Sequence, residues 1–203
     1  MNSLMKKISV LVVFVFLAGC GGSSALMKPS ANQNITPASK KKAKIEFMRN
    51  SFVAGGINAE LFEIAKGKMK FIGSVPMGSK IVYETTPGKK VFMAYGMAAD
   101  FMIADVRAGK TYYSIVRPNW GTGGFAPTPV RTDGTTDFNT AIPDFKEWVS
   151  GTELLEPIPA DAKAWFKKEQ KNILTVYKKY WQIFKTKNPN EKAARTLTPR
   201  DGM

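Results

Sequence analysis

The sequence predicts a mainly β protein: an antiparallel β-sandwich of about seven strands, followed by a long amphipathic C-terminal helix. Three observations carry this expectation. Apolar and polar side chains alternate in short runs between residues 44 and 116. Turn signals built on Gly and Pro separate the runs. From residue 159 the apolar period becomes that of a helix, and aromatic side chains collect on one face.

The chain divides into four segments. Residues 1–19 carry Lys6 and Lys7 and then a ten-residue apolar run, Ile8 to Leu17. That run is shorter than the ~20 residues a membrane-spanning helix needs, and its flanks are those of an export signal. Leu17-Ala18-Gly19-Cys20 follows, and Cys20 is the single cysteine of the 203 residues. This quartet resembles the lipobox of bacterial lipoprotein precursors. The resemblance implies a diacylglyceryl thioether on Cys20, cleavage before it, and acylation of the new amino group, with palmitate as the expected chain. Two or more acyl chains anchor a protein stably, whereas one does not. Gly21, not Asp, follows the cysteine. By the family's sorting rule, that favours the outer membrane of a diderm host.

Residues 20–44 read as a lipidated flexible tether, rich in Gly, Ser, Pro, Asn and Lys. As a coil, its residues from Gly21 would span roughly 25–30 Å. Lys40, Lys41 and Lys42 suit either solvent or anionic headgroups.

Residues 45–135 hold the β-sandwich domain. In the first run, 44–48, Ile45 and Phe47 point one way and Lys44, Glu46 and Met48 the other. Residues 50–56 form a loop. In 57–64, Ala59, Leu61 and Glu63 oppose Asn58, Glu60, Phe62 and Ile64. Further strands are expected at 69–73, 80–85, 89–95, 101–107 and 111–116. Pro87 presets φ and Gly88 supplies a positive φ, so the pair closes a turn, and Gly109 does the same. Tyr112 and Tyr113 straddle the two faces of one strand, one buried and one near the rim.

"TTPGKKVFMAYG", followed by "VRAGKTYYSIVRP", resembles an uncharacterised bacterial lipoprotein family with a small β-sandwich domain. Arg49, Phe52, Pro87, Gly88, Lys89, Gly109, Lys110, Tyr112 and Tyr113 carry the likeness, and the ending Leu197-Thr198-Pro199-Arg200-Asp201-Gly202 adds to it. The family's usual histidine after Pro-Gly is replaced here by Lys89-Lys90. The resemblance spans residues 45–117 and implies a fold and an envelope location, without an activity.

Residues 136–203 form a helical extension and tail. The helix is bounded by Pro159, with Asp161 to cap it, and by Asn188-Pro189. Ala162, Trp165, Phe166, Ile173, Val176, Tyr177, Tyr180, Ile183 and Phe184 share one face, and Lys178 and Lys179 lie among the lysines opposite. Such a helix can pack on the sandwich, dock a partner protein, or lie on a membrane. After Pro189 the tail reads as an extended arm.

Composition narrows function. An apolar share of 44%, with 13 Phe and 4 Trp, supports a buried core. The absence of histidine removes Ser-His-Asp and Cys-His nucleophiles and histidine-built zinc sites. The lone cysteine removes an intrachain disulfide. The net charge is +14, and +12 once Lys6 and Lys7 leave with the signal. Such an excess attracts acidic partners, and export argues against nucleic acid.

The stretch 117–139 reads as the longest irregular segment, with Trp120 either tucked over a sandwich edge or exposed to a partner or sugar. Its Gly-Thr-Gly-Gly lacks the Lys-Ser/Thr end of a phosphate loop. Asp133, Asp137 and Asn139 lack the ligand ladder of a calcium loop. The carboxylate pairs Asp133/Asp137 and Glu153/Glu156 are what a glycosidase would draw on. The sequence therefore predicts a lipid-anchored bacterial cell-envelope protein, a non-enzymatic binding or structural module without a cofactor or metal. Its membrane contact is acylated Cys20, and its expected partner is an envelope protein or cell-wall polymer. Partner or membrane contacts are expected at Trp120, Trp165, Trp181, Lys178 and Lys179. The alternative is a carboxylate-dependent hydrolase acting on an envelope glycan.

Overall fold

A computed structural model describes residues 26–51 and 53–203. The export signal, Cys20 and Phe52 lie outside the described residues. The chain forms two open, mixed β-sheets and a long C-terminal helix. Sheet one has the spatial order β1 (Met27–Pro29), β10 (Glu153–Pro157), β5 (Ser79–Thr85), β2 (Ala43–Arg49), β8 (Thr111–Asn119), β9 (Gly124–Pro129). Sheet two runs β11 (Thr196–Leu197), β7 (Ala99–Val106), β6 (Gly88–Tyr95), β3 (Ala59–Ala65), β4 (Lys68–Val75). The helices are α1 (Pro143–Ser150), α2 (Pro159–Thr186) and the single turn α3 (Pro189–Ala193).

All seven predicted strands are present, with no end moved by more than three residues. Their pairing is not purely antiparallel. β2 runs parallel to β8, β10 to β5, and β11 to β7. The turns at Pro87-Gly88 and Gly109 explain the difference. Their glycines do have positive φ, 109° and 75°. But each turn carries the chain from one sheet to the other, β5 to β6 and β7 to β8, so it is a corner and not a hairpin. Local turn chemistry fixes the corner and leaves strand neighbours across the molecule unspecified.

Alternation along the strands builds layers. Ile45 and Phe47 of β2 meet Leu61, Phe92 and Met102 of sheet two in a shared core, where the Phe47 and Phe92 rings pack edge-on with centroids 5.3 Å apart. The other face of sheet one, with Met48, Ile115 and Val130, is covered by Trp148 of α1. The other face of sheet two, with Phe62, Met93 and Phe101, is covered by α2. Tyr112 is fully buried and its hydroxyl accepts from the Arg107 amide, while Tyr113 is half-buried, as the sequence predicts.

Three segments depart from expectation. From Leu26 onward the tether is not a free coil. Leu26 and Met27 join the main core, β1 pairs antiparallel with β10, and the Gln33 side chain holds both the amide and the carbonyl of Leu154. Backbone pairing and two buried apolar side chains outweigh the freedom a polar composition suggests. The 117–139 stretch is not irregular throughout, because it contains the end of β8 and all of β9. Pro127 and Pro129 stand in β9, the outermost strand of its sheet, where proline is tolerated. The tail is not an extended arm. It forms α3, adds β11 to the edge of β7, and ends with Met203 exchanging backbone hydrogen bonds with Thr111.

Candidate functional site

Helix α2 occupies its aromatic face internally. Ile173 and Phe184 are buried, Trp165 packs on Phe71 at 5.2 Å, and Trp181 packs on Phe101 at 5.0 Å. Trp165 and Trp181 are half-buried against sheet two, so the stripe is not a free docking face for a partner or bilayer. Lys178 and Lys179 are exposed on its outer side. Among the described residues no helix is long and apolar enough to cross a membrane.

Trp120 behaves oppositely. It heads the turn between β8 and β9 and is 80% exposed, so it is not tucked over an edge. The turn is well held. The Asn119 carbonyl accepts from the Thr122 and Gly123 amides, and the Asn119 side chain accepts from Gly121 at 3.1 Å. Gly124 then lets β9 approach the 96–98 turn. A Cβ there would lie 2.9 Å from the Ala98 backbone.

The pairing directions bring the 50–58 loop and the 76–78, 96–98 and 120–123 turns to one end of the molecule. Val53, Ile57, Met77 and Met97 stand exposed there with Trp120, and Met97 is 73% exposed. Ile57, Met97, Pro118, Trp120 and Phe125 line a hollow of about 230 Å³. Ile57 and Met97 also border a wider cleft of about 730 Å³ with Glu60, Tyr95, Trp165 and Asn172. An exposed apolar patch rimmed by polar groups is how an interaction site looks. Aromatic side chains beside hydrogen-bonding groups also suit a sugar ring.

Arg49 holds this end together. It is fully buried, and it donates to the carbonyls of Ala54 at 2.7 Å, Ile57 at 2.6 Å and Val75 at 3.1 Å. Its guanidinium also lies over the Phe125 ring at 4.3 Å. Burial draws its pKa down, with Glu60 opposing.

Glu60 is the cleft's ionisable group. Burial is the largest influence and raises its carboxyl to about 7, against smaller opposing effects from hydrogen bonding, including Ser74, and from Arg49. A carboxyl with a raised folded pKa prefers its protonated form in the native state. Its contribution is therefore complete below about pH 4.5, and it is lost as pH rises to about 7. Glu60→Gln should accordingly be more stable than the parent by about 2–3 kcal/mol at pH 8, with little gain at pH 4. Urea unfolding at the two pH values measures this, and an equal difference at both would contradict it.

The acid pairs singled out in the sequence lie outside this cleft. Glu153 and Glu156 lie three apart on β10, hence on opposite faces, and Glu156 bridges Lys28 at 3.0 Å. Asp133 accepts from the Thr135 amide and hydroxyl in a turn, and the Asn139 side chain is bonded to Thr136 and Ala141. Asp137 lines a separate cleft of about 440 Å³ with Arg117 and Arg195, whose guanidinium groups both donate to the Thr128 hydroxyl. Among the described residues no three acidic side chains gather in a metal-holding cluster.

Sequence reasoning found Trp120 and missed Glu60, Tyr95, Asn172 and Arg49 as parts of one site. One signal was present. Glu60 shares its strand face with Phe62 and Ile64, and an acid in an apolar row is a candidate for perturbed ionisation.

No family model, curated protein or solved structure matches this chain. The lipoprotein-family likeness therefore rests on the quoted residues alone.

Proposed function

We propose that the chain is a lipid-anchored bacterial cell-envelope protein, held by acylated Cys20, that acts by binding and not by catalysis. Its binding surface is the end bearing Trp120, and its partner is an envelope protein or cell-wall polymer. The observation that carries this is the exposure of Trp120 and Met97 on well-held turns at one end. Large exposed aromatics on a rigid frame are the usual energetic centres of an interface.

Two measurements test the proposal. Cells fed labelled palmitate should label the parent chain and not Cys20→Ala, and an unlabelled parent defeats the anchor. Photo-crosslinking from position 97 in cells should capture a specific partner or wall fragment, and Trp120→Ala should lower capture at least tenfold. Unchanged capture in that variant would reject the surface.

Glu60 favours a second reading, a hydrolase acting on an envelope glycan. Burial pushes its carboxyl up to about 7, where a general acid works best, and the phenol of Tyr95 beside it is raised by burial first and then by Glu60 and Glu169. Glu60→Gln should then abolish product release from purified wall glycan. A parent protein that binds glycan and releases nothing rejects this reading.

A further inference from the structure

The two ends of the molecule differ sharply in charge. The 50–58 loop and the 76–78, 96–98 and 120–123 turns contain no Lys, Arg, Asp or Glu. The opposite end gathers the turns at 40–42, 65–68, 86–89 and 107–110. Lys40, Lys41 and Lys42 are all exposed there, beside Gly109, whose amide donates to the Ser39 and Lys42 carbonyls. Lys66 and Lys68 are exposed at the β3–β4 turn, Lys89 at the start of β6, and Arg107 and Lys110 between β7 and β8. Fewer acids than cations stand here: Asp133 is exposed and shares a cleft with Arg107, Arg131 and Arg200. Glu84 bridges Lys44 at 3.6 Å, Glu63 is buried at 3.6 Å from Lys90, and Asp105 is half-buried.

The chain enters the fold from this same end. β10 runs parallel to β5, and β1 runs antiparallel to β10. Since β5 runs from the Trp120 end to the basic end, β1 runs the other way. Leu26, at the start of β1, therefore lies on the side of the basic end. Six Cα steps separate Cys20 from Leu26. They reach at most about 22 Å in any conformation. The strands themselves are about 25 Å long, so a leash rooted at the basic side of β1 brings the lipid to that end more readily than to the far one.

We propose that the end formed by these basic turns lies on the anionic headgroups of the membrane that holds Cys20. This rests on the lipid-anchor reading above. Each lysine close to an anionic surface strengthens binding about five-fold, and the effect fades within a Debye length of ~8 Å. A leash of that length lets the basic turns settle within that range of the headgroups. The Trp120 end then points away from the bilayer toward the envelope space. Helix α2 crosses the outside of sheet two, and its lysines are not needed for the contact.

The acylated protein, reconstituted into vesicles, tests this directly. The Cys20 sulfur is tied up in thioether, so a single added cysteine can be labelled selectively. Lys110→Cys probes the basic end and Gly121→Cys the far end, with a headgroup-bound quencher in the bilayer. In vesicles containing phosphatidylglycerol, the 110 probe should be quenched several-fold more than the 121 probe. That difference should collapse in phosphatidylcholine vesicles, and also on adding Lys40→Glu, Lys41→Glu and Lys42→Glu together. Lys178→Glu with Lys179→Glu should leave it intact. Equal or reversed quenching, a difference that persists in neutral vesicles, or loss only in the 178/179 variant would each overturn the proposal. Absence of palmitate on Cys20 defeats the anchor itself, whereas a palmitoylated protein with reversed probes defeats only the orientation.

Discussion

Arg49→Met should destabilise the protein by about 3–5 kcal/mol, because a buried charged donor serving several acceptors is lost. The methionine fills much of the same volume and reaches none of the three carbonyls that Arg49 serves. Two of those carbonyls, Ala54 and Ile57, belong to the loop that carries Val53 and Ile57 to the candidate site. Left without a donor in a closed space, each costs about 1–3 kcal/mol, less whatever water can recover. The ring contact with Phe125 goes as well. Urea unfolding with unchanged m-value measures the loss, and a change under about 1 kcal/mol would show that the loop is held by other means. Crosslinking from position 97 should fall in the same variant, since the platform under Met97 and Ile57 loosens.

Asp201→Ala should cost a similar amount, about 3–5 kcal/mol, because it strands a buried cation. Asp201 is 1% exposed and takes a 2.7 Å hydrogen bond from Arg131, another of 2.7 Å from the Thr198 amide, and one of 2.8 Å from the Thr198 hydroxyl. Arg131 also donates to the Ala193 carbonyl at 2.6 Å, so it clamps α3 and the tail together. The loss should appear first as local opening, with faster hydrogen exchange at Leu197 and Ile103 than in the central strands. Replacing both partners, Arg131→Met with Asp201→Leu, should recover most of the stability. Failure of the double variant to recover would mean that the cap on Thr198 matters more than the ion pair.

The fold was legible wherever local chemistry decides it. The seven alternating runs, the turns at Gly88 and Gly109 and both ends of α2 follow from side-chain period, glycine conformation and proline placement, although Asp161 sits inside the first turn of α2 and does not cap it, the N-cap being Ile158. What escaped is fixed at long range. β1 and β11 are three and two residues long, too short to show a period, and each exists because a distant strand offers an open edge. β9 was hidden by prolines that only an outermost strand accepts. The site was half legible. Trp120 stood out by its glycine-rich setting, but nothing local says whether such a tryptophan is covered. Arg49 and Glu60 sit on separate elements, and their burial depends on the fold being complete.

The positions of β1 and β11 also bear on the order of assembly. β1 needs β10, which follows it by more than a hundred residues, and β7 keeps an open edge until β11 arrives at residues 196–197. Asp201 locks that arrival. A chain threaded through a translocation pore N-terminus first would hold its first strand without a mate until residue 157 of its 203 had emerged. Contacts of such high sequence separation form slowly. In such a chain the edge of β7 would close last, and a chain stalled short of its last few residues would lack β11 and present that one unpaired edge to chaperones or proteases.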